Sequence, residues 1–159
     1  MTGRRRGFTL VEILIVVIIL AVLAAIVIPV LSDVVTSGRE TNLKENLSKF
    51  RVHIQLYREQ HNRYPDGDAL ADQMTMYTNT AGETQSSRDG DHRFGPYLEQ
   101  MPANPFTGQR TVAGTDDASE LFPAGDEDGG WWYNETTGRF YADLTDAHVD
   151  GDGNPYNRY

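Results

Sequence analysis

Arg6-Gly7-Phe8-Thr9-Leu10-Val11-Glu12 opens the stretch that decides the fold, an apolar run from Phe8 to Leu31 whose one charged side chain is Glu12. At about 1.5 Å per residue, a helix over this run reaches about 36 Å, enough to cross a hydrocarbon core of about 30 Å. Arg4, Arg5 and Arg6 stand just before it. Such a basic flank stays on the cytoplasmic side and sends the residues beyond Leu31 outside. A charge at the centre of a bilayer costs about 2.5–3.5 kcal/mol or more, so an acid inside such a run calls for a partner.

Two ordinary readings compete. A secretory signal peptide also joins a basic start to an apolar stretch, but its core is shorter and ends at a small-residue cleavage site with a polar flank. Here Ala24-Ala25 leads into more Ile and Val. A plain single-pass anchor fits the length and leaves Glu12 without a purpose.

Beyond the run, Ser32, Asp33, Thr36, Ser37 and Gly38 mark a polar step. Pro29 lacks a backbone N–H and crowds the preceding turn, so a kink or an unwound turn is expected there. Leu43, Leu47, Phe50, Ile54 and Tyr57 then recur at helical spacing as one apolar stripe, and Pro65 stops the pattern. Stem and amphipathic segment together predict one long helix from Phe8 to about Asn62. A free coiled-coil dimer is the competing use of the stripe, but the pattern lasts only about two heptads.

From residue 63 the chain is rich in Gly, Asp, Asn and Pro, with short strand candidates. Residues 109–113 read as one strand. Trp131-Trp132-Tyr133 and residues 139–144 flank a five-residue loop ending in Gly138, a hairpin signature. Trp132, Phe140, Ala142 and Leu144 are expected to face the helix stripe, with the face of Trp131 open. Residues 68–92 read as a long loop with a helical turn near 68–75. The fold class is therefore α+β: a long N-terminal helix packed on a small antiparallel sheet with long loops.

The chain has 159 residues, no cysteine and a formal charge of −9. Residues 66–159 carry 18 acidic side chains against five arginines. Nucleic-acid binding needs clustered Lys and Arg, so it is not expected. The acid excess reads either as solubility or as divalent-cation binding. No Gly-x-Ser-x-Gly or phosphate-cradling glycine loop occurs, and the scattered His53, His61, His92 and His148 read as solvated or capping side chains, so no enzyme is expected. Trp131 and Trp132 read as core or contact aromatics, with a sugar or peptide platform as the alternative.

Gly7-Phe8-Thr9-Leu10-Val11-Glu12 followed by an apolar run resembles the prepilin leader motif shared by type IV pilins and type II secretion pseudopilins. The resemblance implies that a prepilin peptidase cuts after Gly7 and methylates the new amino terminus at Phe8. Glu12 becomes the fifth mature residue, the family's glutamate, and Pro29 falls where many members carry a proline. The implied layout is a leader over 1–7, a transmembrane and assembly stem over 8–31, an amphipathic half-helix over 32–62 and an acidic head over 63–159. Tyr64-Pro65, Gly95-Pro96-Tyr97-Leu98, Pro102-Ala103-Asn104-Pro105-Phe106 and Gly130-Trp131-Trp132-Tyr133-Asn134 resemble the protein G family of major type II secretion pseudopilins. The tail over 145–159 does not, and the missing disulfide loop sets the chain apart from adhesive pilins.

The resemblance implies a structural subunit that waits in the inner membrane with its head outside. It then joins a homo-oligomeric helical filament with minor pilins or pseudopilins, driven by an assembly ATPase and inner-membrane platform proteins. In the filament, Glu12 would pair with the α-amino group of Phe8 on a neighbour. It also implies a calcium ion in the C-terminal loops, for which Asp126, Asp128, Asp143 and Asp146 are the candidate ligands. Asp150-x-Asp152-x-Asn154 copies the start of an EF-hand loop, but Pro155 replaces the turn glycine and no twelfth-position glutamate is present. The reading from a different class is a membrane-anchored binding module for calcium or carbohydrate that does not polymerise.

Overall fold

A computed structural model of the protein describes residues 7–125 and 129–159. It is α+β, as the sequence predicts. Helix α1 spans Leu10–His61 and is followed by the short α2, Leu70–Thr75. Strands β1 (Tyr77–Thr78) and β2 (Thr84–Gln85) pair as an antiparallel ribbon. Strands β3 (Val112–Thr115), β4 (Trp131–Asn134) and β5 (Arg139–Ala142) form the main sheet, and a 3-10 turn at Tyr156–Arg158 ends the chain.

The chain divides after Gly38 into two compact units. In the first, α1 runs through Pro29 without interruption, so the unwound turn expected there is absent from the backbone. The helix ends farther on at Asn62, which takes a left-handed φ of 55°. Asn tolerates that conformation, and it terminates the helix before Pro65 does.

In the second unit, 39–159, the predicted stripe is the core. Leu43, Leu47, Phe50, Ile54 and Tyr57 are all buried against Trp131, Tyr133, Phe140, Ala142 and Leu144. Phe50 stacks on Phe140 at 4.3 Å and meets Trp131 at 5.7 Å. Pairing of Trp131 with Ala142 and Tyr133 with Phe140 places these four on the helix side. Trp132 is thereby turned to the other face, opposite Tyr141, and not onto the stripe where the sequence pattern alone places it. Trp131 is fully buried and Trp132 nearly so, which leaves no exposed aromatic platform for a sugar.

The sheet is mixed where an antiparallel one was expected. Strand β3 runs parallel to β4, with Val112 opposite Trp131 and Thr115 opposite Asn134. Parallel neighbours need a crossover of a dozen or more residues, and the segment between Thr115 and Trp131 supplies it. The strand expected at 109–113 accordingly begins at Val112 and ends at Thr115. The hairpin is present, and its loop shortens to four residues because Asn134 joins β4.

Buried amides hold the long loops. Asn104 donates to the Gly130 carbonyl (2.7 Å) and accepts from the Phe106 N–H (2.9 Å). Asn134 donates to the carbonyls of Asp117 (2.8 Å) and Glu120 (3.2 Å) and accepts from the Thr137 N–H. The indole of Trp131 donates to the Pro102 carbonyl, and the Tyr133 hydroxyl to that of Pro65. His61 is buried, not solvated: its ring stacks on Tyr57 at 3.8 Å, and its nitrogens lie 3.0 Å from the Tyr57 carbonyl and from Thr78 Oγ1.

The tail belongs to the core. Tyr156 and Asn157 are buried, and Phe106 packs on Tyr156. Arg51 of α1 donates to the Phe140 carbonyl (3.1 and 2.9 Å) and to the main-chain oxygen of Tyr159. Asp150 accepts the N–H groups of Asp152 and Asn154 and the Tyr159 hydroxyl. The Tyr159 hydroxyl, with the side chain and N–H of Asn154, holds the Asp150 carboxyl well below the usual carboxylate range.

Candidate assembly site

The first turn of α1 is closed by a reciprocal pair. Glu12 N–H donates to Thr9 Oγ1 (3.2 Å), while Glu12 Oε2 accepts from the Thr9 N–H (2.8 Å) and the Thr9 hydroxyl (2.9 Å). This is a capping box, which satisfies donors that a helix start leaves without partners. Sequence reasoning missed it, although Thr9-x-x-Glu12 before an apolar run is its signature. Both bonds fall on Oε2. Among the described residues, Oε1 of Glu12 has no bonded partner.

Around this carboxylate the stem is bare. Phe8 is 81% exposed, and each large apolar side chain from Leu10 to Val27 is about half exposed or more. The stretch Leu10–Val27 is long and apolar enough to cross a membrane by length and composition. Gly7 and Phe8 precede the helix in an exposed segment without regular secondary structure. Pro29 lies within the helical backbone of the same stem.

The candidate calcium ligands split into two groups. Asp126 and Asp128 lie outside the described residues. Asp143 and Asp146 flank that segment from the sheet side. A side chain at Gly129 would overlap the Asp143 carboxylate, and one at Gly125 would lie 2.6 Å from Asp146 Oδ1. Asp146 also accepts from Asn157 Nδ2 (2.9 Å), and the buried Asn157 Oδ1 has no partner among the described residues. No group of three or more His, Cys, Asp or Glu side chains among the described residues is placed to hold a metal.

The family model described as the prokaryotic N-terminal methylation motif matches residues 2–28. Over 103 residues the chain is 28% identical to the type II secretion system core protein G of Aeromonas hydrophila, covering 65% of this chain and 68% of that one. The same-named protein of Dickeya chrysanthemi is 27% identical over 107 residues (67% of this chain, 66% of that one). That of Pectobacterium carotovorum is 29% identical over 104 residues, 65% of this chain and 63% of that one. The chain is thus similar to type II secretion core protein G and carries a prokaryotic N-terminal methylation motif. It spans about two thirds of the length of these relatives. No solved structure matches it.

The motif match takes in Gly7, Phe8, Thr9 and Glu12. Pro29 falls just beyond it, and all four candidate calcium ligands lie far outside it.

Proposed function

We propose that the chain is a structural subunit of a type II secretion pseudopilus or a closely similar filament, assembled through its N-terminal helix. The observation that carries the reading is Glu12: one carboxylate in an exposed apolar stem, fixed by Thr9 through one oxygen and with no bonded partner on the other among the described residues. A prepilin peptidase would release Phe8 as a methylated amino terminus. The cationic amine of a neighbouring copy would then meet the remaining oxygen of Glu12. An ion pair in an apolar setting is strongly penalised when one member is missing, so the contact sets the register of docking. An assembly ATPase, platform proteins and minor pseudopilins would complete the machine. The basic flank would stay cytoplasmic and the head would lie outside the inner membrane.

Two substitutions separate capping from docking. Gln serves a capping box as Glu does, so Glu12→Gln keeps the helix start and removes the charge. Thr9→Ala does the reverse. Cells that express the full chain with its assembly machinery should yield sheared filaments from Thr9→Ala and few from Glu12→Gln. Mass spectrometry should find the mature chain beginning at an N-methylated Phe8. Normal filaments from Glu12→Gln, or an intact Met1 in cells, would overturn the proposal.

Calcium is a second, smaller proposal. Asp143 and Asp146 would hold the ion together with Asp126 and Asp128. The unpartnered Asn157 oxygen and the two carboxylates resting against Gly125 and Gly129 favour it. Calcium takes six to eight oxygens, so backbone carbonyls and water would complete the shell. Calcium should raise, and a chelator lower, the melting temperature of the head; no shift in either direction would remove calcium as a stabilising ion.

A further inference from the structure

One face of the head is apolar, basic and uncovered. Lys44, Arg51, Val52 and Tyr159 line a groove of about 460 Å³ along α1. Val52 is 62% exposed and Leu56, one turn on, 43%. Residues 44–61 of α1 carry four Lys and Arg side chains against two acidic ones in a chain of net charge −9. They are the positive part of an otherwise acidic head.

The same chain presents the complement. Between β3 and β4, Asp116, Asp117 and Glu120 precede Leu121 and Phe122, both exposed. This ridge is held in place. Asn134 takes the carbonyls of Asp117 and Glu120, Asp117 accepts from the Ser119 N–H and hydroxyl, and the Phe122 ring lies 5.2 Å from that of Tyr141. Groove and ridge share no residue. A contact made in one direction only, from the groove of one copy to the ridge of the next, is heterologous, and such contacts propagate into helical filaments when the rotation does not close.

We propose that in the filament the Leu121–Phe122 ridge of one copy seats in the groove at Val52 of the next and against Leu56 beside it, with Asp116, Asp117 and Glu120 facing the basic side chains of α1. This rests on the filament reading and gives the head its own docking contact beside that of the stem. Apolar side chains supply the buried area. The charges fix which way round the copies meet, since like charges brought together at an interface are costly.

The natural chain has no cysteine, so introduced thiols report directly. Full-length Val52→Cys or Leu56→Cys would be co-expressed with Leu121→Cys or Phe122→Cys, in all four pairings, and assembled filaments oxidised. At least one pairing should give a disulfide-linked dimer of unlike copies. A chain carrying both substitutions of that pairing should give a ladder of multimers. Lys49→Glu should lower the linked fraction about two- to fivefold, as the loss of one exposed ion pair implies, and Glu120→Lys in the partner copy should restore it. Filaments that form without linkage in any pairing would overturn the inference while leaving the filament reading standing. Doubly substituted chains that stop at closed dimers, or grooves that link to a different protein, would also overturn it. If the unsubstituted chain forms no filament at all, both readings fall together.

Discussion

Replacing Arg51 by methionine should loosen the head at its most exposed seam. Among the described residues strand β5 has β4 as its only ladder neighbour, so it is an edge strand whose outward carbonyls need other partners. Arg51 supplies two N–H bonds to the Phe140 carbonyl and one to the Tyr159 main chain, and its guanidinium lies 5.1 Å from the Tyr141 ring centre. Methionine keeps the apolar stem and removes all three donors. Hydrogen bonds from a charged donor contribute about 1.5–3 kcal/mol when well shielded; the half-exposed site lowers the combined loss to about 2–3 kcal/mol. For a unit of this size that is a fall of about 6–12 °C in melting temperature. Both tryptophans lie in β4, so their fluorescence tracks the head even in the full-length chain in detergent. Arg51→Lys, which keeps the charge without the planar fork, should fall between the two. A shift of less than about 2 °C for Arg51→Met would refute the view that this side chain closes the sheet edge.

Three further outcomes rest on particular contacts. Phe50→Ala removes the ring stacked on Phe140 and should cost about 3–5 kcal/mol, read by the same fluorescence melt. Gly138→Ala should destabilise by more than about 1–2 kcal/mol, because Gly138 has a φ of 71° and an added side chain would overlap the Tyr64 ring; hydrogen exchange at the β4–β5 loop should report it. Burial, chiefly, with Arg63 nearby, pushes the His61 pKa below its ordinary 6.5, against hydrogen bonds to the main chain that raise it. Its stabilisation is therefore complete above about pH 6.5 and lost as pH falls from there through the lowered folded value. The wild type should lose stability over that window by more than His61→Gln does in parallel denaturant titrations.

The parts of the fold legible in the sequence were those set by a period. Leu43, Leu47, Phe50, Ile54 and Tyr57 announced a buried stripe, and every one is buried. Trp131-Trp132-Tyr133 and residues 139–144 announced a hairpin closed by a glycine, and the strands form over Trp131–Asn134 and Arg139–Ala142. What escaped was held by single polar side chains. Strands β1 and β2 are two residues each, stabilised by Asn79 accepting the N–H groups of Ala81 and Glu83. No hydrophobic pattern marks such a turn. Likewise the tail reads as polar and irregular, yet Tyr156, Asn157 and Tyr159 tie it to Phe106, Leu144 and Arg51 across the head. Strand direction escaped as well: β3 carries no mark of running parallel to β4, and only the length of the segment between them permits it.

Glu12 shows how one residue serves two levels of organisation. Read alone, an acid in an apolar helix asks for a partner in another molecule. The geometry gives it one at home first, in Thr9. These roles do not compete, because a carboxylate offers two oxygens and about four acceptor positions, and the cap uses only one oxygen. The cap also limits where the second oxygen points, since a side chain tied back to the helix start loses most of its rotamer freedom before any neighbour arrives. Entropy that would otherwise be lost on docking is lost on folding instead. Thr9→Ala should therefore leave filaments able to form but slower to nucleate, with the defect relieved at higher subunit concentration. Glu12→Gln should keep an ordered helix start that no concentration of neighbours rescues. If the two variants lose assembly in the same way and to the same degree, the cap and the docking contact are one function and the separation between them is wrong.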